Sequence, residues 1–89
     1  MKIGTKVVHA GYHADVETGA IMPPIYMTST YLQDAPGEHR GYDYTRAGNP
    51  NFTFLETLLS SLENAKHATA FSSGLGALTG LISTLAQGD

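Results

Sequence analysis

Residues 71–77 (FSSGLGA) carry the clearest signal for chemistry in the sequence. An apolar residue leads into serines and glycines, which precede an apolar run, so the pattern predicts a short buried strand, a tight turn and a helix. The first N–H groups of a helix have no partner within the helix, and the helix dipole adds about half a positive charge there. The stretch therefore predicts a binding site for an anionic group such as a phosphate.

Small residues suit this turn to its predicted role. Gly74 and Gly76 let the backbone approach an anion without a Cβ in the way, and Ser72 or Ser73 can cap the helix or donate a hydroxyl. The spacing is neither G-x-x-x-x-G-K-[ST] nor G-x-G-x-x-G, so a nucleotide P-loop and a dinucleotide fingerprint are not indicated. The bland alternative is a plain strand-to-helix connection with a serine cap.

A second candidate site lies in residues 42–46 (YDYTR). If the segment is extended, alternation places Tyr42, Tyr44 and Arg46 on one side. A phenol and a guanidinium that point the same way can clamp a phosphate, because arginine donates hydrogen bonds in a fork. The alternative is an aromatic pair beside a surface arginine.

The histidines give no comparable signal. His9 and His13 have an i, i+4 spacing, but Gly11 lies between them and no helix is predicted there, so we expect no metal site. No Ser-His-Asp set can be assembled from the sequence either.

Composition narrows the class of protein further. Of 89 residues 42% are hydrophobic and only 15% are charged, below the roughly one-quarter that is typical of soluble domains. The low charge indicates surface that a partner or another part of the protein covers. A net charge of −3 argues against nucleic acid or an anionic membrane as partner. The absence of cysteine excludes disulfides.

The first half of the chain is predicted to be mostly extended. Residues 1–31 lack helical periodicity, so we expect an arm that lies on another surface, with a turn at residues 15–19. Residues 25–31 are rich in β-formers and should be extended. Residues 34–41 read as a loop with a turn at Pro36–Gly37. No apolar run follows the N-terminal lysines, so no signal peptide or membrane span is expected, which indicates the cytoplasm.

The second half is predicted to be helix, strand and helix. Asn49 and Pro50 form a strong helix start, and that helix should run to about Asn64. Residues 67–71 should form the strand and residues 75–85 the second helix. The first helix should bury an apolar stripe and leave two glutamates solvated. The stripe comprises Phe52, Leu55, Leu58, Leu59 and Leu62, and the glutamates are Glu56 and Glu63.

The sequence stops where an α/β protein should continue into a further strand. We therefore expect a fragment or the first piece of a longer chain. Two helices with one strand also bury too little apolar surface to fold independently.

Three separated stretches together resemble one family. They are residues 18–26 (TGAIMPPIY) with 28–31 (TSTY), residues 42–46 (YDYTR) with 48–50 (GNP), and residues 71–77 (FSSGLGA). Their order and spacing resemble the N-terminus of the Cys/Met-metabolism enzymes that use pyridoxal 5′-phosphate (PLP). That family includes cystathionine γ-synthase, cystathionine γ-lyase, cystathionine β-lyase and methionine γ-lyase. The resemblance covers nearly all of this chain and about the first quarter of a typical member.

The resemblance implies a fold and a division of the chain. The fold would be α/β: an extended N-terminal arm plus the first helix–strand–helix of the large domain of a fold-type I PLP-dependent transferase. Residues 1–48 would be the arm and the intersubunit cofactor-clamp segment. Residues 49–89 would begin the PLP-binding domain, which is incomplete here.

The resemblance also implies roles for four residues. Gly74 and Leu75 match positions whose backbone N–H groups hold the cofactor phosphate. Tyr44 and Arg46 match a pair that reaches this phosphate from the neighbouring subunit. Family members are homotetramers built from dimers with shared active sites, so residues 26–31 would belong to the subunit contact.

No catalytic residue is implied within this chain. The family's Schiff-base lysine, its aspartate partner of the pyridine nitrogen and its ring-stacking tyrosine all match positions beyond residue 89. One departure is Asn51, where the family usually has threonine; asparagine can bond the backbone locally, so we expect little functional consequence.

The activity implied is γ-elimination or γ-replacement on a sulfur amino acid. Residues 35–39 and 22–24 resemble the γ-synthase and γ-lyase branch most. A β-lyase or methionine γ-lyase is an alternative, as is a truncated, non-catalytic fragment that binds a partner subunit. A generic phosphate-binding segment is a third reading.

Overall fold

The computed structural model describes residues 1–88 and contains both helices and strands. The elements are α1 (Ile3–His9), β1 (Gln33–Ala35), β2 (Glu38–His39), α2 (Pro50–Leu62) and α3 (Gly74–Ile82). The mixture agrees with the α/β class predicted from the sequence. Asp89, the last residue of the second predicted domain, lies outside the described residues.

Helix α2 begins where the sequence predicts. Asn49 is extended, and its Oδ1 accepts a hydrogen bond from the backbone N–H of Phe52 at 3.1 Å, with Pro50 in the first helical position. This is the capping arrangement expected for Asn-Pro. Asn49 is the one buried residue among residues 1–88, since only 7% of it is exposed. Its Nδ2 also donates to the carbonyl of Thr45 at 3.3 Å.

Helix α1 corrects the prediction that the N-terminal arm contains no helix. Seven residues make too short a helix to be stable alone, but α1 packs against α2. Lys6 Nζ donates to the carbonyl of Ser61 at 3.2 Å, and Lys6 and His9 place basic side chains in the last turn of α1, where the dipole favours them. The helix therefore depends on a tertiary contact that local periodicity does not reveal.

Gly11 lets the chain that leaves α1 approach α2 closely. Its φ is +96°, and a Cβ at this position would lie 2.7 Å from the carbonyl oxygen of Phe54 and 3.1 Å from the nitrogen of Leu58. Both neighbours are helix backbone, which cannot move aside without breaking α2.

Gly11→Ala is therefore expected to weaken the packing of α1 on α2 by about 1–3 kcal/mol. Gly4→Ala is the matched control, because nothing lies within 4 Å of a Cβ there and alanine favours the helix. Hydrogen exchange of the α1 amides should accelerate in Gly11→Ala alone. Equal protection in the two variants would contradict this packing.

The turn predicted at residues 15–19 is present and is closed by a carboxylate. Asp15 Oδ2 accepts from the N–H and the Oγ1 of Thr18, both at 2.8 Å, and Gly19 has a φ of +73°. The Thr18 hydrogen bonds lower the pKa of Asp15 below its ordinary value of 3.8. The contribution of this turn to stability is therefore present above the ordinary carboxyl pKa and is lost as the pH falls through the lower, folded value.

The loop predicted at residues 34–41 is a small antiparallel hairpin. β1 pairs with β2 around the predicted turn, where Gly37 has a φ of +81° and donates to Gln33 Oε1 at 3.0 Å. Arg40 and Asp34 form an exposed ion pair at 2.9 Å beside it. Strands of two and three residues are too short to show alternation, so the sequence predicted the turn and missed the strands.

Residues 67–71 do not form the predicted strand within the described chain, since no neighbouring strand offers them backbone partners. Instead, the N–H of Ala70 donates to Glu56 Oε2 at 2.8 Å. Glu56 is half-buried, so the prediction of a solvated side chain is wrong for this residue. It anchors the segment that leads into the glycine-rich turn.

The predicted burial of the α2 stripe is also wrong for this chain. No apolar side chain among residues 1–88 is buried, and Phe52, Leu55 and Leu59 are 44%, 44% and 41% exposed. Helix α3 contacts no other helix or strand of the described chain. The described elements thus bury little apolar surface, as the sequence predicts for two helices and a strand.

Two further observations concern membrane-spanning helices and metal sites. No helix within residues 1–88 combines the length and apolar character needed to cross a membrane. The same residues contain no group of three or more histidine, aspartate and glutamate side chains placed to hold a metal ion.

Candidate functional site

The N-terminus of α3 is capped by Ser73. This residue is extended, and its Oγ accepts from the N–H of Gly76 at 2.9 Å. Its carbonyl accepts the first helical hydrogen bond, from Ala77, at 3.1 Å. Of the two serines that the sequence offers as a cap, the structure therefore uses the second.

The cap leaves two donors free at the start of α3. The N–H groups of Gly74 and Leu75 have no hydrogen-bond partner within residues 1–88. Nothing lies within 4 Å of the Cβ position of Gly74, and Leu75 is 75% exposed. No acidic side chain occupies the first turn. Two open N–H groups at the positive end of a helix suit a phosphate.

Contacts on both sides fix this glycine turn, which we define as residues 72–76. A Cβ on Gly80 would lie 2.9 Å from Cε1 of Phe71, so the phenyl ring lies directly on α3. One residue earlier, the bond from Ala70 to Glu56 ties the same segment to α2. The turn is thus held between the two helices that flank it in sequence.

Tyr44 and Arg46 lie together, as the sequence predicts, but on a turn rather than an extended segment. The N–H groups of Ala47 and Gly48 donate to the carbonyl of Tyr44 at 3.0 and 3.1 Å. Arg46 Nη2 donates to Tyr44 Oη at 3.3 Å, and Arg46 Cζ lies 5.3 Å from the ring centroid. We call residues 44–48 the clamp turn.

Tyr42 does not join this pair. Its Oη bonds Oγ1 of Thr53 on α2 at 2.7 Å, and its ring lies 5.6 Å from the ring of Tyr31. The prediction that Tyr42, Tyr44 and Arg46 share one side is therefore wrong, because the chain turns at Tyr44. Tyr42 instead joins the residues just before the clamp turn to α2.

Thr45 holds the clamp turn against the arm. Its N–H donates to the carbonyl of Ser29 at 2.9 Å, and its Oγ1 donates to the carbonyl of Thr28. Thr30 and Tyr44 form an antiparallel bridge beside these bonds. Sequence reasoning missed Thr45, and no local signal marks it, since its partners lie far away along the chain.

Asn51 also bonds the arm, which corrects the expectation of a local hydrogen bond. Its Oδ1 accepts from the N–H of Tyr26 at 2.8 Å, and its Nδ2 donates to the carbonyl of Pro24 at 2.7 Å. The partners are 25 and 27 residues away in sequence, so no pattern around Asn51 could have revealed them.

The structure does not bring the two parts of the candidate site together. Within residues 1–88, no hydrogen bond, ion pair or ring contact joins Tyr44 or Arg46 to α3. The described residues thus form two separate candidate half-sites, each made of hydrogen-bond donors that are exposed to solvent. Both are suited to the same ligand chemistry, that of a phosphate group.

Comparison with known proteins identifies the family. The model of the family described as Cys/Met metabolism PLP-dependent enzyme matches residues 4–89. The chain belongs to this family. The resemblance found in the sequence is thereby confirmed over nearly the whole chain.

Relatives with different named activities match the same segment. A probable cystathionine gamma-synthase from Herpetosiphon aurantiacus is 52% identical over 85 residues, which are 96% of this chain and 27% of that protein. A cystathionine gamma-lyase from Dictyostelium discoideum is 48% identical over 99% of this chain and 23% of its own length. The chain therefore spans about a quarter of these family members.

A solved structure confirms the fold of the segment. The crystal structure of metB from Corynebacterium glutamicum superposes with a TM-score of 0.91 at 44% sequence identity. The match covers 97% of this chain and 23% of that one. The Cys/Met-metabolism family uses PLP, and the open N–H groups of Gly74 and Leu75 fit the phosphate that this cofactor carries.

Proposed function

We propose that the chain is the N-terminal part of a PLP-dependent trans-sulfuration enzyme of the cystathionine γ-synthase or γ-lyase type. The complete enzyme acts on a sulfur amino acid by γ-elimination or γ-replacement. The observation that carries the proposal is that the N–H groups of Gly74 and Leu75 have no hydrogen-bond partner within residues 1–88. They lie at a helix N-terminus where nothing within 4 Å surrounds the Cβ position of Gly74, in a chain of this family.

The proposed cofactor-binding residues are Gly74, Leu75, Tyr44 and Arg46. Gly74 and Leu75 bind the phosphate of PLP through their backbone N–H groups. Tyr44 and Arg46 bind the same phosphate from the neighbouring subunit of a homotetramer made of two dimers. The separation of the two half-sites in one chain supports this arrangement, because each alone offers a phosphate only part of the donors that could bind it.

The segment anchors the cofactor and does not carry out the chemistry. PLP supplies the electron sink for reactions at the substrate's carbon atoms, whereas the lysine that binds it covalently matches no position here. Residues 1–48 serve as the arm and intersubunit clamp, and residues 49–89 begin the cofactor domain. Arg46 donates to the phosphate in a fork, which is the geometry that a guanidinium offers.

A second candidate is a non-catalytic segment that only binds a related subunit. The exposed apolar faces of α2 and α3 favour it, since they offer surface for a partner. Within the family, a cystathionine β-lyase or a methionine γ-lyase is the alternative activity. We propose the cytoplasm as the compartment, as the sequence indicates.

A chimera tests the proposal. The 89 residues replace the matching segment of the full-length Herpetosiphon relative, and the same relative without any such segment is the control. We expect the chimera to keep PLP through gel filtration, with its visible absorbance, and to turn over cystathionine or an activated homoserine with cysteine. A folded chimera that stays colourless with added PLP would contradict the proposal. PLP binding by the control would also contradict it, because the segment would then not be required to hold the cofactor.

A further inference from the structure

Asn51 makes two hydrogen bonds that resemble a rung of a β-ladder. Its carboxamide accepts from Tyr26 N–H at 2.8 Å and donates to the carbonyl of Pro24 at 2.7 Å. A carboxamide has the same donor and acceptor as a peptide unit, so it pairs with the arm as a neighbouring strand would. The bonds attach the arm to the second residue of α2.

The arm carries this attachment forward to the clamp turn. Pro23 and Pro24 restrict the backbone where the attached segment begins. Two residues beyond Tyr26, the carbonyls of Thr28 and Ser29 accept from Thr45, and Thr30 bridges to Tyr44. A short run of arm thus contacts both the start of α2 and the turn that presents Tyr44 and Arg46.

A third contact closes the arrangement. Asn49, the cap of α2, donates to the carbonyl of Thr45 at 3.3 Å and is buried. The clamp turn, the arm and the start of α2 therefore hold one another in a ring of hydrogen bonds. Asn51 makes the bonds between the arm and α2 in this ring.

We propose that Asn51 is a positioning residue for the phosphate clamp. Its carboxamide fixes the arm to α2, and the arm in turn orients Tyr44 and Arg46 toward the phosphate of PLP. The inference rests on the proposed function and goes beyond it, since Asn51 touches neither half-site. It replaces the expectation that asparagine here has little functional consequence.

Asn51→Leu in the chimera removes both hydrogen bonds at similar volume. Each of the two bonds contributes roughly a factor of two to ten in an equilibrium. Since they act on the clamp only through the arm, we expect PLP to bind about tenfold more weakly. Pyridoxal, which lacks the phosphate, should bind the variant and the parent equally. Thr57→Leu is the matched control, because Thr57 lies exposed on the same helix and its hydroxyl makes no hydrogen bond within residues 1–88.

A double-mutant cycle separates positioning from general destabilisation. If Asn51 acts through Arg46, Asn51→Leu should add little to the loss caused by Arg46→Ala. The serine of Asn51→Ser is too short to reach both backbone groups, so this variant should lose PLP affinity as Asn51→Leu does. It replaces Asn51→Leu in the cycle if that variant does not fold.

Three results would overturn the inference. They are unchanged PLP affinity in both Asn51 variants, an equal loss for pyridoxal and PLP, or losses that multiply with Arg46→Ala. If the chimera without further substitution binds no PLP, the proposed function itself fails. This result is obtained before any variant is compared, so it is distinct from a failure of the Asn51 inference.

Discussion

Arg46→Ala is expected to weaken PLP binding to the chimera by about ten- to hundredfold. A hydrogen bond to a charged group contributes about 1.5–3 kcal/mol, and arginine offers a phosphate a forked pair of donors. The side chain is exposed and bonds only Tyr44 within residues 1–88, so its removal leaves no buried group unpaired. The dissociation constant, measured by titration with PLP at fixed ionic strength, tests the prediction.

Arg40→Ala is the matched control for Arg46→Ala. Arg40 is also exposed and pairs with Asp34 beside the hairpin, so its loss changes the net charge equally without touching the clamp. PLP affinity should remain as in the parent, and Arg46→Lys should fall between the two, since lysine keeps the charge but not the fork. Equal losses in Arg40→Ala and Arg46→Ala would show a general charge effect and contradict the clamp.

Gly74→Pro is expected to reduce PLP affinity to a similar extent by removing one backbone N–H. Proline is favoured in the first position of a helix, and Ser73, with φ −152° and ψ 157°, already has the conformation that a residue before proline requires. The helix should therefore persist while one phosphate donor is lost. The expected weakening is about ten- to hundredfold, the contribution of a hydrogen bond to an anion.

Gly74→Ala is the control for this substitution, because it adds a Cβ and keeps the N–H. Nothing lies within 4 Å of that Cβ in the chain. Both variants carry a Cβ, so a larger loss in Gly74→Pro than in Gly74→Ala would assign the difference to the donor. If both variants bind PLP as the parent does, the N–H of Gly74 does not hold the phosphate.

The starts of α2 and α3 were predictable because their signals are local. Asn49 and Pro50 specify the start of α2, and Ser73 lies three residues before the N–H that it caps. The glycine turn and the adjacency of Tyr44 and Arg46 follow from residue types within a few positions. The same holds for the turns at Asp15 and Gly37, where nearby polar side chains bond the backbone of the turn.

Other features escaped prediction because they depend on contacts between distant segments. Helix α1 is stabilised by α2, and Glu56 bonds a backbone group 14 residues away. Asn51 and Thr45 bond the arm across 25 and 17 residues. In each case the residue type is common in exposed loops or helices, so only the folded chain shows its partner.

We propose that the two half-sites of one chain serve two different active sites. Arg46 and Tyr44 of one subunit then meet Gly74 and Leu75 of its neighbour. The separation of the half-sites within the described chain motivates the claim, and it has a consequence that single variants cannot show. A subunit defective only in its clamp and one defective only in its turn should complement each other.

Mixing the Arg46→Ala and Gly74→Pro chimeras after dissociation, followed by reassembly, measures this directly. In a mixed dimer one site carries both defects and the other carries neither, so tight PLP binding should return in half of the sites of the mixed dimers. If each chain supplied both halves of its own site, every site would keep one defect. PLP affinity that stays as weak as in the separate variants would therefore contradict the account.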